Sequence, residues 1–213
     1  MFKDRVDAAQ QLVIKLSGTK IKNGIVLAVP RGGVPVGYEI AKALNLPLEI
    51  FLSKKIGHPN NPEFAIGSVT LNGTVVNDNV MGADRDYINR QSNKILGELK
   101  EKFKTFMDGK KSADLKGKTV ILTDDGVATG STLISAVKAI RKNSPEKIII
   151  AVPVSPPTTT RILEQIADDF ICLATPSDFL GVGQYYYDFS QVEDAEVIQL
   201  LKQAINRHEK IIQ

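Results

Sequence analysis

One stretch constrains this chain more than any other. The apolar run Val120 to Thr123 ends in two adjacent carboxylates, Asp124 and Asp125. Gly126 to Thr132 follow as a short loop of small residues, and then a helix-like segment, Leu133 to Arg141. Strand, loop and helix in that order belong to an open α/β sheet, where ligands bind at the carboxyl ends of the strands. A helix start offers unpaired backbone N–H groups and a positive dipole end, which suit a phosphate. Gly126 and Gly130 let the backbone curl around an anion. Thr129, Ser131 and Thr132 add hydroxyl donors. Asp124 and Asp125 would repel a phosphate, so their natural partners are neighbouring alcohols. A vicinal diol beside a phosphate describes ribose 5-phosphate. A simple helix cap needs one such polar residue, not two carboxylates and a run of small polar residues.

The segment resembles the phosphoribosyl pyrophosphate (PRPP) motif of type I phosphoribosyltransferases, with matches at Asp124, Asp125, Thr129, Gly130 and Thr132. The resemblance implies that Asp124, Asp125, Gly126, Val127, Ala128, Thr129, Gly130, Ser131 and Thr132 bind PRPP. The two carboxylates would act at the ribose during catalysis. Other phosphate motifs fit badly. Gly126 to Gly130 lacks the Lys and the spacing of a Walker A loop, and Arg31-Gly32-Gly33 does not complete a G-x-G-x-x-G fingerprint.

The remaining elements follow from hydrophobic periodicity and turn residues. Helices are expected at Asp4–Leu16, Val34–Leu44, Asp84–Met107, Thr158–Asp168 and Glu196–Lys210, besides the motif helix. Strands are expected at Gly24–Pro30, Pro47–Ser53, Thr119–Thr123, Lys147–Val154 and Phe170–Ala174. Two short extended pieces within Ala65–Val76 are split by the hairpin signal Asn72-Gly73. Strands alternating with helices imply an α/β fold with a mainly parallel central sheet flanked by helices. The resemblance implies the type I phosphoribosyltransferase fold with a small hood. A single domain over residues 1–213 is expected, with an inserted long helix in about residues 80–110 and a hood candidate in about residues 176–213. The inserted helix reads as scaffold or interface.

Two more segments carry anion chemistry. Val29 to Pro35 joins the first strand to its helix and resembles the family's pyrophosphate loop, which implies that Arg31, Gly32 and Gly33 contact the leaving group. In that family the loop can hold a non-proline cis peptide. Lys54 and Lys55 end the second expected strand, where a cation suits pyrophosphate. Ile56 to Pro62 is rich in turn residues and reads as a mobile lid over the site. His58, the histidine nearest the proposed site, is a candidate acid–base or pyrophosphate-binding group. An ordinary solvated loop residue fits His58 equally. Catalytic candidates are therefore Asp124, Asp125, Lys55 and His58.

For the acceptor, Ser177 to Asp188 gathers three of the chain's five tyrosines beside glycines. Phe179, Tyr185, Tyr186 and Tyr187 are candidates to stack on a planar base; aromatic packing of the C-terminal tail is the alternative. Ala128 stands where 6-oxopurine enzymes typically have an Asp, so the motif looks more like that of adenine or uracil enzymes.

The function expected is Mg2+-dependent displacement of pyrophosphate from PRPP by a nitrogen acceptor, most simply a nucleobase. Mg2+ binds substrate oxygens and water, so no direct protein ligand is assigned. A PRPP-sensing regulator without turnover, with nucleic acid as a partner, is the other reading the motif allows. PRPP synthetase is a weaker rival, since no ATP site is apparent. A net charge of +3 on 213 residues demands no nucleic acid, and none is expected, nor a membrane partner; a homodimer is compatible. Cys172, the one cysteine, lies in an apolar run and reads as an inert buried thiol. One cysteine makes no internal disulfide, and neither a signal peptide nor a spanning apolar run is visible. The expected location is cytoplasmic.

Overall fold

The computed structural model describes residues 1–71, 73–77 and 82–212. In chain order the elements are α1 (Arg5–Leu16), β1 (Gly24–Ala28), α2 (Gly33–Leu44), β2 (Leu48–Ile50), β3 (Ser53–His58), β4 (Asn61–Thr70), β5 (Gly73–Val76), α3 (Arg85–Phe106), β6 (Thr119–Thr123), α4 (Ser131–Arg141), β7 (Lys147–Val154), α5 (Pro157–Ile166), β8 (Asp169–Ala174) and α6 (Asp194–Ile212), with a 3-10 turn at Val182–Tyr185.

Five strands lie in the order β2-β1-β6-β7-β8, every neighbouring pair parallel. Strands β1 and β6 are buried along their whole length, as continuous apolar runs of a sheet covered on both faces are. Alternation sorts the faces. Val26, Ala28, Ile121, Ile149 and Ala151 pack with α1, α2 and α6. Ile25, Leu27, Val120, Leu122, Ile148, Ile150 and Val152 pack with α4 and α5. The helix after β1 thus covers one face and the helix after β6 the other. Since β1 and β6 are neighbours, with Ala28 opposite Thr123, the crevice between their carboxyl ends is the topological switch point of the sheet.

The α/β class and parallel sheet expected from the sequence are observed, with two corrections in the middle of the chain. The second expected strand, Pro47–Ser53, is regular only over Leu48–Ile50. Phe51 N–H donates to the Ala28 carbonyl, and the chain then leaves the sheet. Ser53 opens β3 of a separate antiparallel sheet, β3-β4-β5. Lys54 and Lys55 therefore lie within β3 and do not end β2. Ile56–Pro62 is likewise no irregular loop but the tip of a β-hairpin turning at Pro59-Asn60, with register shifts beside Gly57. Buried Ile56, Ile66 and Val69 fix that arm by packing with Ile95, Leu99, Phe103 and Phe106 of α3. Asn72 of the expected hairpin signal lies outside the described residues; β4 and β5 do pair antiparallel, with Thr70 opposite Gly73. Residues 80 and 81 of the expected insertion and Gln213 of the expected hood also lie outside them.

Among the described residues no helix is long and apolar enough to cross a membrane. Cys172 is half-buried, its Sγ 3.1 Å from the Ala174 carbonyl, and burial pushes its thiol up to about 11.

Candidate functional site

Two loops meet at the switch point. Val29 N–H donates to the Thr123 carbonyl at 2.9 Å, which holds the loop after β1 against the end of β6. Thr123 Oγ1 is itself anchored on the Ala151 carbonyl at 2.6 Å. The Pro30–Arg31 peptide is cis. A Cβ at Gly32 would run into the Asp125 carboxylate, and one at Gly33 would come within 2.9–3.0 Å of Asp124 Cα and the Thr123 carbonyl. These two glycines are therefore required for loop contact with the acidic pair, whatever anion is bound. Arg31 is exposed, its Nη1 3.4 Å from Asp194 at the start of α6.

Asp124 and Asp125 are largely shielded. Asp124 Oδ1 accepts from the Asp125 N–H at 2.9 Å. Asp125 Oδ2 accepts from Arg5 Nε at 2.8 Å, and its carbonyl accepts from the Tyr186 hydroxyl at 2.6 Å. The Arg5 guanidinium lies over the Phe189 ring, 4.1 Å from its centroid, and donates to the Ser190 carbonyl. Burial lifts Asp124 well above the ordinary carboxylate range, and the neighbouring Asp125 charge adds to the rise. Burial raises Asp125 as well, opposed by Arg5. Arg5 carried no signal in the sequence, because the contact spans 120 positions.

The following loop opens toward solvent at its far end. Val127 N–H donates to the Val154 carbonyl, and Thr159 Oγ1 to the Ala128 carbonyl at 2.7 Å. Gly130 is the N-cap of α4 in the left-handed region, φ 76°, and no side chain caps the helix. Thr129 and Ser131, their hydroxyls 3.2 Å apart, are exposed together with Ala128 and Thr132. An uncapped helix start ringed by exposed hydroxyls suits an anion.

A cleft of about 440 Å³ adjoins both loops. Pro30, Ser53, Lys54 and Thr132 line it, and Glu98, Leu99 and Lys102 supply its wall from α3. Lys54 Nζ lies 2.6 Å from Glu98, and Lys55 Nζ lies 2.8 Å from Glu63 across the hairpin. His58 is at the hairpin end. Its Nδ1 accepts from the Asn60 N–H at 3.2 Å, and its ring meets Phe64 edge-on. The sequence does not mark the α3 wall, because the apolar stripe reads as scaffold or interface.

The tyrosine segment divides. Tyr186 is buried, its ring 5.3 Å from Phe2 and 5.0 Å from Phe189. Its place in the expected acceptor wall is corrected: it is core, because strand-like pairing of Phe2 with Tyr186 turns the ring inward. Tyr185 stacks on Phe179 at 5.7 Å with the rings 13° apart. Tyr187 is 77% exposed. Val182 lies against Gly126, where a Cβ would strike it, so this segment covers the start of the motif loop.

A doubly wound parallel sheet with an uncapped helix start and a carboxylate pair at its switch point defines an α/β protein with a crevice of the kind where open sheets hold ligands. The chain belongs to the phosphoribosyl transferase domain family, whose model matches residues 2–190. Two Mycobacterium tuberculosis relatives, both provisionally named phosphoribosyl transferases, are 38% identical over 208 residues; the match covers 96% of this chain and 47% of each relative. The chain thus spans about half the length of the curated relatives it matches. The crystal structure of TT1426 from Thermus thermophilus is similar over 95% of this chain and 98% of that one, at 34% identity and a TM-score of 0.85. A hypothetical protein from Neisseria gonorrhoeae shares the fold, at a TM-score of 0.53 and 14% identity over 95% of this chain and 98% of that one.

Proposed function

We propose that this chain transfers the 5-phosphoribosyl group of PRPP to a nitrogen acceptor, most simply a nucleobase. The observation that carries the reading is the meeting of two anion-suited loops and a shielded carboxylate pair at one switch point. The first turn of α4, with Thr129, Ser131 and Thr132, holds the 5-phosphate through N–H and hydroxyl donors. Asp124 accepts hydrogen bonds from the ribose hydroxyls, and its charge favours the positive character that grows on the ring. Arg5 holds Asp125 in place beside it. Arg31, Lys54 and Lys55 turn from their exposed carboxylate partners to the pyrophosphate; surface ion pairs are weak enough for that exchange. The bond from C1 to the pyrophosphate oxygen breaks, the pyrophosphate keeps the electron pair, and the acceptor nitrogen bonds to C1 and gives up its proton to His58. His58 is the proposed acid–base group, and the Phe179–Tyr185 stack the proposed platform for the acceptor.

Among the described residues no cluster of three or more His, Cys, Asp or Glu suits a metal ion. The Mg2+ of this proposal would be held mainly by substrate oxygens and water, with no direct protein ligand assigned. Bound in this way, Mg2+ would neutralise the charge that leaves with pyrophosphate. The deciding experiment incubates the protein with PRPP, Mg2+ and a panel of nucleobases and amines and measures pyrophosphate release. Turnover with at least one acceptor is expected. Tight PRPP binding with no turnover across the panel would favour a PRPP sensor instead.

A further inference from the structure

The cleft at the switch point is walled on one side by α3, an element that the motif loops do not account for. Two lysines and one carboxylate converge on it. Lys54 reaches it from β3, and Lys102 and Glu98 from successive turns of α3. Glu98 and Lys54 are both exposed and meet at 2.6 Å. Lys102 pairs with no carboxylate among the described residues; its Nζ lies 5.4 Å from the Phe106 ring centroid. The same cleft touches Pro30 of the first loop and Thr132 of the motif helix. A ligand bridging those loops would bring its charged end against both lysines. The volume suits a small molecule.

Glu98 has two effects on such a ligand. It occupies Lys54, and its own charge repels an incoming anion. Its burial cannot be its purpose, since the apolar face of α3 is carried by Ile95, Leu99, Phe103 and Phe106. We propose that α3 is a binding wall of this cleft: Lys102 takes the pyrophosphate group of PRPP, and Glu98 restrains Lys54 until that anion replaces it. The inference rests on the PRPP reading above and adds the residues that select the pyrophosphate end.

Calorimetric titration of the intact chain with pyrophosphate in the presence of Mg2+, and separately with ribose 5-phosphate, tests it. Lys102→Gln is expected to weaken pyrophosphate about tenfold, the loss of one charge-assisted hydrogen bond, and to leave ribose 5-phosphate unchanged. Glu98→Gln is expected to tighten pyrophosphate roughly three- to tenfold, as a repelling and competing charge is removed. That gain should shrink in the Lys54→Gln background, where only the direct repulsion is left to relieve, which is how coupling through one partner registers. Both α3 positions are exposed, and far-UV circular dichroism is expected to be unchanged. Unaltered pyrophosphate affinity in Lys102→Gln and Glu98→Gln, or weaker binding in Glu98→Gln, overturns the wall and leaves the PRPP reading standing. A wild-type chain that binds ribose 5-phosphate but not pyrophosphate does the same. A wild-type chain that binds neither, nor PRPP itself, overturns both.

Discussion

Arg5 and Asp125, 120 positions apart, meet through an Nε–Oδ2 contact of 2.8 Å with their side chains only 11% and 14% exposed. The pair ties α1 to the loop that follows β6. Removing one member of a shielded pair leaves the other charge without compensation, at a cost of about 3 kcal/mol. Arg5→Gln is therefore expected to lower the urea midpoint and to weaken ribose 5-phosphate binding, because Asp125 loses its anchor. Arg5→Lys keeps the charge but not the planar stacking on Phe189, and should fall between wild type and Arg5→Gln. An Arg5→Gln protein as stable as wild type would refute the anchoring role.

The carboxylate pair should also set a pH dependence. Burial holds the folded Asp124 carboxyl well above its ordinary value of 3.8. The folded state then keeps a proton that the unfolded chain has released. Stability from this group is complete below the unfolded value and is lost as pH rises through the folded one. At neutral pH the ionised group is a cost of folding. Asp124→Asn, whose amide oxygen can still accept from the Asp125 N–H, should raise Tm at pH 7 by a few degrees, the shift that about 1 kcal/mol makes in a chain of this size. The same change should weaken ribose 5-phosphate binding. A lower Tm in Asp124→Asn across the pH range would contradict this account.

Much of this was legible from local chemistry. The runs Gly24–Ala28 and Thr119–Thr123 are wholly apolar or nearly so, and such runs announce buried parallel strands. The loop from Asp124 to Thr132 reads from the sequence as an anion cradle, and the uncapped start of α4 is the geometry such a reading requires. The misread parts depend on partners distant in sequence. Nothing near Arg5 marks it as the neighbour of Asp125. Lys54 reads the same whether it ends one sheet or opens another. The Ile56–Pro62 stretch is dense in turn residues, yet Ile56 and Ile66 fix it as a hairpin by packing on α3.

Gly130 and Thr129 should respond differently to the same replacement. Thr129→Val removes one exposed hydroxyl. Gly130→Val places a branched side chain at φ 76°, where an L residue loses about 1–2 kcal/mol, and drives its Cβ into the Thr159 methyl group. Thr159 also holds the Ala128 carbonyl, so the loop as a whole would shift. Gly130→Val is expected to lose more PRPP affinity than Thr129→Val in direct titration. The reverse order would mean that hydroxyl donors, and not the backbone, form the cradle.

The three consecutive tyrosines should separate into three phenotypes. Tyr186 is core, and its hydroxyl donates to the Asp125 carbonyl at 2.6 Å. Tyr186→Ala should cost about 3–5 kcal/mol of stability, as truncation of a buried ring does. Tyr186→Phe should lose about 1 kcal/mol through the single hydrogen bond. Tyr187, at 77% exposure, should tolerate Ala with little change in either stability or turnover. Tyr185 is half-exposed and stacked on Phe179. If that stack is the acceptor platform, Tyr185→Ala should raise the acceptor's KM roughly five- to a hundredfold, by analogy with base–aromatic stacking worth about 1–3 kcal/mol, with PRPP affinity spared. Thermal melts and steady-state kinetics on the four variants read all of these outcomes together. A Tyr185→Ala protein with unchanged acceptor KM would move the acceptor site away from this segment and toward His58 and Phe64 at the hairpin end.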